Sequence, residues 1–292
     1  MDYLFNSDKP DLEGFRAAFF QTLLDSPDPR LNISPSSSSL AGCRRQQGYT
    51  WRGVEAATSR SDKDRGEGIW GARMGNVIEP FVSDVLAQMG YIVEEAQAAW
   101  ALLSCKLGII HRNDKELLEA LEGGHGRHKC YPLLTGHPDG MLYPIQEVRD
   151  PLTTQRILFE LKNPNFKRFM EMASSGGVEN YDDDGQYYIQ TQMNMEAMGT
   201  DRCLFMLICK DPTGVKWNMR RMKYTGETLM HLEVVEKKDS AVSFGLERAQ
   251  EVVDVVQAGE LPPRDYEPEG GQKANWRCRW CDYWKRCLED GA

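Results

Sequence analysis

Phe159-Glu160-Leu161-Lys162 closes a strand candidate spanning residues 156–161. Side chains alternate across a strand, so Glu160 and Lys162 share one face while Leu161 turns into the core. A buried glutamate and lysine are costly unless further charge accompanies them. Upstream, Gly136-His137-Pro138-Asp139-Gly140 sets an aspartate at a turn between strand-like residues, and Glu79 lies within a helix candidate one turn after Gly75. A divalent cation held by the carboxylates would resolve the cost. Magnesium or manganese is expected, being a hard ion suited to carboxylate oxygens. Taken singly each piece has an ordinary explanation: a solvated strand face, a turn former, a surface glutamate. Order and spacing are what join them.

Around this nucleus the periodicities predict alternating elements. A helix over Ile69 to Met89 carries Val77, Ile78, Phe81, Val85 and Leu86 at helical spacing, and Tyr91-Ile92-Val93 reads as a strand. Strands over 133–143 and 156–161 suggest a long antiparallel hairpin. Residues 184–198 read as a helix, 203–209 as a buried strand, 215–223 as another strand, and Thr228 to Ala258 as one long helical region. Further helices are expected over Lys115 to Leu121 and after the serine run 34–39, the latter carrying Cys43, Arg44 and Arg45. The predicted class is α/β (α+β), a central mixed sheet flanked by helices.

Composition is that of an ordinary globular chain: of 292 residues, 41% are hydrophobic and 27% charged. The net charge of −9 does not exclude a nucleic-acid partner, because such binding depends on local basic surface. Residues 201–223 carry six Lys/Arg against two Asp. No apolar run approaches the roughly 20 residues of a membrane span. The acidic N-terminus lacks a basic-then-apolar signal pattern, and a cytoplasmic location is expected.

The assembled motifs resemble the PD-(D/E)XK nucleases, in particular the lambda-exonuclease/YqaJ-like branch and RecB-type relatives. Arg73-Met74-Gly75-Asn76-Val77-Ile78-Glu79-Pro80 is similar to that branch's Glu-bearing helix, Gly136 to Gly140 to its Asp-Gly turn, and Glu160-Leu161-Lys162-Asn163-Pro164 to its strand end. Tyr187-Tyr188-Ile189-Gln190-Thr191-Gln192, followed by Gly199, is similar to its glutamine helix. The resemblance implies a restriction-endonuclease-like core and a metal-dependent DNA exonuclease of recombination, repair or end processing. Glu79, Asp139 and Glu160 would hold Mg²⁺ or Mn²⁺, Lys162 would position or activate the water, and Gln190 and Tyr187 would line the site. It divides the chain into 1–68, a helical region supplying Cys43; 69–260, the nuclease core; and 261–292, a cysteine-rich segment. Residues 98–132 form a longer insertion than the branch leads one to expect. Arg44, Arg45, Lys167, Arg168, Arg220 and Arg221 are candidate phosphate contacts, each ordinarily just a solvated charge. A recombination, single-strand-annealing or helicase partner would accompany such an enzyme.

Eight cysteines in a chain read as cytosolic argue against a disulfide framework. Cys105, Cys130, Cys203 and Cys209 sit in apolar or loop contexts and read as core or incidental thiols. Cys278-x2-Cys281-x5-Cys287 needs a fourth thiolate, for which Cys43 is a candidate. Such a set suits iron–sulfur or zinc equally, and free thiols are the bland alternative. One cysteine before the core and three after it resembles the iron–sulfur nucleases, which implies a [4Fe–4S] cluster stapling the N- and C-terminal regions. Trp276, Trp280, Tyr283 and Trp284 would shield that cluster or stack on single-stranded bases. The rival readings are an endonuclease or CRISPR spacer-acquisition-type nuclease with the same site, an inactive nuclease-fold DNA-binding or assembly module, and a zinc-ribbon interaction protein.

Overall fold

The computed structural model describes residues 40, 42–54, 77–88, 91–94, 100–103, 109–111, 132–144, 156–181, 185–209, 230–268, 275–279 and 281–291. In chain order the elements are α1 (Arg44–Trp51), α2 (77–88), β1 (Tyr91–Glu94), β2 (Trp100–Leu103), β3 (Ile109–His111), β4 (Pro132–Gly136), β5 (Gly140–Pro144) and β6 (Ile157–Lys162). They continue as α3 (Phe166–Ser174), α4 (Val178–Tyr181), α5 (Gln186–Met198), β7 (Arg202–Ile208), β8 (Met230–Glu236), α6 (Asp239–Gln257), α7 (Trp276–Arg279) and α8 (Trp284–Glu289). The described residues fall into two compact units. Residues 40–54 and 79–267 belong to the larger, and 77–78 with 268–291 to the smaller.

In the larger unit β6 is the middle strand of a five-stranded sheet ordered β1-β5-β6-β7-β8. It pairs antiparallel with β5 and parallel with β7, and the remaining pairs are antiparallel, so the sheet is mixed. A second sheet, β3-β2-β4, is wholly antiparallel. Flanked by these helices, the molecule has the mixed α/β architecture that the sequence predicts.

One face of the five-stranded sheet packs into the core. Leu158, Cys203, Phe205 and Leu207 lie there with Phe169 and Met172 of α3, Met193 and Met198 of α5, and Val242 and Val253 of α6. Each fully buried side chain of this size stabilises the fold by about 1.5–3 kcal/mol. Gly245 lets α6 approach α5, since a Cβ there would lie 2.7 Å from Met193 Sδ. α1 is tied down by arginines: Arg44 Nε donates to Asp265 at 2.9 Å, Arg248 donates to the same carboxylate at 2.9 Å, and Arg45 Nε donates to the Pro262 carbonyl at 2.6 Å.

The structure corrects four expectations. The strand over 133–143 is two strands in two sheets, β4 beside β2 and β5 beside β6. The break falls at His137-Pro138-Asp139, where proline has no N–H to give a ladder. Only the second half forms the hairpin with β6. The helical region from Thr228 begins instead with strand β8, because pairing with β7 along its whole length overrides local propensity. Gln192 holds the change of direction, donating to the Glu236 carbonyl at 3.0 Å and accepting from Lys238 N–H at 2.7 Å.

The other two corrections concern helices. α2 buries Val82 and Leu86, while Phe81 and Val85 of the expected apolar face turn outward. They edge an apolar trough over the sheet's opposite face, lined also by Ile157, Leu204 and Met206. Cys43 is not within a helix but is the residue capping α1. The expectations for 34–39, 69–76, 115–121 and 215–223 lie outside the described residues, as do Arg220 and Arg221. Among the described residues no helix is long and apolar enough to cross a membrane.

Candidate active site

The sheet register assembles the site. The β5–β6 ladder ends at Gly140 opposite Phe159, so Asp139 falls beside Glu160. Its side chain continues the ladder, with Oδ2 accepting the Leu161 N–H at 2.7 Å. On β6 the alternation sends Glu160 into the interior, where it is fully buried. Lys162 Nζ spans the pair, donating to Glu160 Oε2 at 2.8 Å and reaching Asp139 Oδ2 at 3.5 Å. Asp139, Glu160 and Lys162 are therefore brought together at the end of adjacent strands.

Electrostatics follow from that burial. Desolvation raises the Glu160 carboxyl strongly, Asp139 raises it further, and Lys162 and Asn194 oppose both. Burial works against the charged form of Lys162, but the fields of Asp139 and Glu160 prevail and hold its pKa above the usual lysine range. The lysine stays an ammonium.

Helix α5 supplies the lid over these groups. The Tyr187 ring lies 5.9 Å from Lys162 Nζ and 5.0 Å from the Arg168 guanidinium, which also lies 6.0 Å from the Tyr181 ring. Both distances to Arg168 fall in the range of cation–π contact. Gln190 is half-buried on the same helix. The residue that touches a carboxylate is Asn194, one turn farther on, whose Nδ2 donates to Glu160 Oε1. Its Oδ1 accepts from Trp100 Nε1 at 2.9 Å. Neither residue stands out in the sequence, although Asn194 follows Tyr187 by seven and Gln190 by four, a spacing that shares one helix face. Gln192, the second glutamine of the motif, serves the β8–α6 turn instead.

Glu79 lies half-buried on α2. Among the described residues no group of three His, Cys, Asp or Glu side chains is placed to hold a metal ion. The donor chemistry of Asp139 and Glu160 nevertheless fits a hard divalent cation. Each carboxylate oxygen has two lone-pair directions, so one oxygen can serve both the lysine and an ion. Of the candidate phosphate contacts, Lys167 is exposed and paired with Glu171 at 3.7 Å. Arg44, part-exposed, is held by Asp265 and Glu251, and Arg45 is buried against Pro262.

In the smaller unit Cys278 lies on α7, Cys287 on α8, and Cys281 just before the turn that leads into α8. Cys281 N–H donates to the Cys278 carbonyl at 3.2 Å, and Tyr283 N–H donates to Cys281 Sγ at 3.4 Å. Cys278 and Cys287 are buried. Trp284 is anchored through its indole N–H to the Pro268 carbonyl at 3.0 Å. Among the described residues these three cysteines do not converge as a group placed to hold a metal ion. Cys43 belongs to the larger unit.

No family model matches the chain, and no curated protein matches it. Among solved structures, the crystal structure of SSO0001 is similar with a TM-score of 0.46 and 10% identity, covering 96% of this chain and 99% of that one. The crystal structure of LHK-Exo in complex with dAMP has a TM-score of 0.42 at 12% identity, covering 83% and 93%. An alkaline exonuclease (LHK-Exo) from Laribacter hongkongensis has a TM-score of 0.39 at 12% identity over the same shares. These are partial likenesses of chain path, and the chemistry of the site stands on its own geometry.

Proposed function

We propose that this chain is a metal-dependent deoxyribonuclease that degrades DNA from its ends, in recombination, repair or end processing. The observation that carries the reading is a fully buried glutamate and a part-buried lysine two residues apart on one strand, joined by an aspartate at the head of the neighbouring strand. Its supports are the four motif segments that resemble the exonuclease branch. Asp139 and Glu160 would hold Mg²⁺ or Mn²⁺, with Glu79 as a further ligand. When bound, such an ion lowers the pKa of a water and stabilises charge on a phosphodiester under attack. Lys162, hydrogen-bonded to Glu160 and within reach of Asp139, would position or activate that water. Arg168, between two tyrosine rings beside the lysine, would contact a phosphate.

Cys43, Cys278, Cys281 and Cys287 are proposed as ligands of a [4Fe–4S] cluster with a structural role, zinc being the alternative occupant. The cluster takes no part in hydrolysis.

The test is degradation of end-labelled linear DNA with Mg²⁺ or Mn²⁺ beside Lys162→Ala and Glu160→Ala. Metal-dependent digestion lost in both variants supports the reading, and DNA with blocked ends separates exonuclease from endonuclease. Folded, metal-supplied protein that binds DNA without cutting it would instead indicate a binding or assembly module.

A further inference from the structure

We infer that Asn194, oriented by Trp100, is a positioning residue that sets the direction in which the Glu160 carboxylate meets a divalent cation. The inference rests on the nuclease reading above. An indole N–H can only donate. The 2.9 Å bond from Trp100 Nε1 therefore fixes the amide with its oxygen toward the tryptophan and its NH₂ toward Glu160. Glu160, Asn194 and Trp100 are all fully buried, so no water competes for these bonds.

The two oxygens of Glu160 then have different partners, the neutral amide on Oε1 and the Lys162 ammonium on Oε2. Two donors clamp the carboxylate plane, and the remaining lone pairs have fixed directions. Preorganisation of this kind keeps a ligand from spending affinity on ordering itself.

The orienting residue comes from outside the five-stranded sheet. Trp100 opens β2, and its indole lies against Gly136 of β4, where a Cβ would sit 2.3 Å from the ring. Gly136 is three residues before Asp139 in the same Gly-His-Pro-Asp-Gly stretch. The glycine thus admits the tryptophan, the tryptophan turns the asparagine, and the asparagine holds the glutamate. Part of the 98–132 insertion is in this way wired to the carboxylates.

Two variants, the first near-isosteric, test this in the full-length protein. Asn194→Asp keeps the shape and the Trp100 bond but replaces the donor to Glu160 with an acceptor. Trp100→Phe keeps an aromatic side chain, smaller than the indole, and removes the N–H that orients the amide. Mn²⁺ affinity is read by titration with electron paramagnetic resonance, alongside melting temperature and kcat and KM on linear duplex DNA. Residues that orient a metal ligand typically contribute roughly 10–100-fold in metal affinity or activity. Asn194→Asp is expected to weaken Mn²⁺ by about that factor and lower kcat with KM for DNA unchanged, and Trp100→Phe to fall between it and wild type.

Wild-type Mn²⁺ affinity and kcat in both variants would overturn the assignment alone. An affinity loss that merely tracks a fall in melting temperature in both would assign the pair to packing, and overturn it too. Wild-type protein that neither binds Mn²⁺ nor cleaves DNA would remove the nuclease reading and this inference with it.

Discussion

Lys162 shows how much one side chain's surroundings decide. Its ammonium lies between two carboxylates, whose fields outweigh the burial that works against its charged form. Lys162→Ala should therefore cost catalysis on the order of 10²–10³-fold, the range for removing one donor that stabilises developing charge. Single-turnover cleavage of end-labelled duplex would measure it, and a loss of less than threefold would contradict the role. Cys203 shows the opposite outcome on the same sheet face. Burial, reinforced by the charge of Glu160, pushes its thiol well above the ordinary range. Iodoacetamide should leave Cys203 unmodified in the native protein and alkylate it after unfolding, as peptide mass mapping would report. The alternation that puts Glu160 and Lys162 on one face was legible in four residues. The partner that orients Glu160 was not, because Asn194 lies 34 residues away and Trp100 another 94 from it.

At the scale of elements, α6 is a hinge of the packing. Gly245→Ala would drive a methyl into Met193 and should destabilise the protein by about 1–3 kcal/mol, the usual cost of overpacking. Urea unfolding would show a lower midpoint at unchanged slope. The anchor of α1 depends on pH. Burial acts to raise Asp265, yet the hydrogen bonds from Arg44 and the charges of Arg44 and Arg248 lower it below its ordinary value. A carboxylate depressed in the folded state contributes stability that is fully present above its unfolded pKa, and that is lost as pH falls through the folded one. The stability gap between wild type and Asp265→Asn should therefore be constant above about pH 5 and close as pH drops below the ordinary aspartate range. Thermal melts across pH 2–7 (on the order of six points) would trace it. An undiminished gap at the acid end would assign it to packing. Helix α5 and strands β1 and β7 were legible from periodicity within two residues, whereas strand β8 was not, since its partner β7 decides its conformation.

For the molecule as a whole, the two proposed metals should separate cleanly. A chelator of divalent ions should abolish DNA cleavage reversibly and leave melting unchanged, because Mg²⁺ or Mn²⁺ would be bound for chemistry. Removal of the cysteine-bound metal should instead lower the melting temperature, because a structural site contributes folding free energy. Anaerobically purified protein is expected to contain about four iron atoms per chain, the content of a [4Fe–4S] cluster. Cys281→Ser should lower that content together with thermal stability. Stoichiometric zinc without iron would reassign the site, and neither metal would leave free thiols.

What the amino-acid order determined by itself was local and periodic. A two-residue alternation set Glu160 and Lys162 on one face, and the Tyr187–Gln190 spacing marked one face of a helix. Such features need only the geometry of the chain within a few residues. Tertiary structure decided which face of α2 is buried, that Arg44 and Arg45 are consumed by Asp265, Glu251 and Pro262, and that Asn194 rather than Gln190 meets the buried carboxylate. Each of those outcomes turns on contacts between segments distant in sequence, where packing and the need to satisfy buried polar groups choose among partners that are chemically alike.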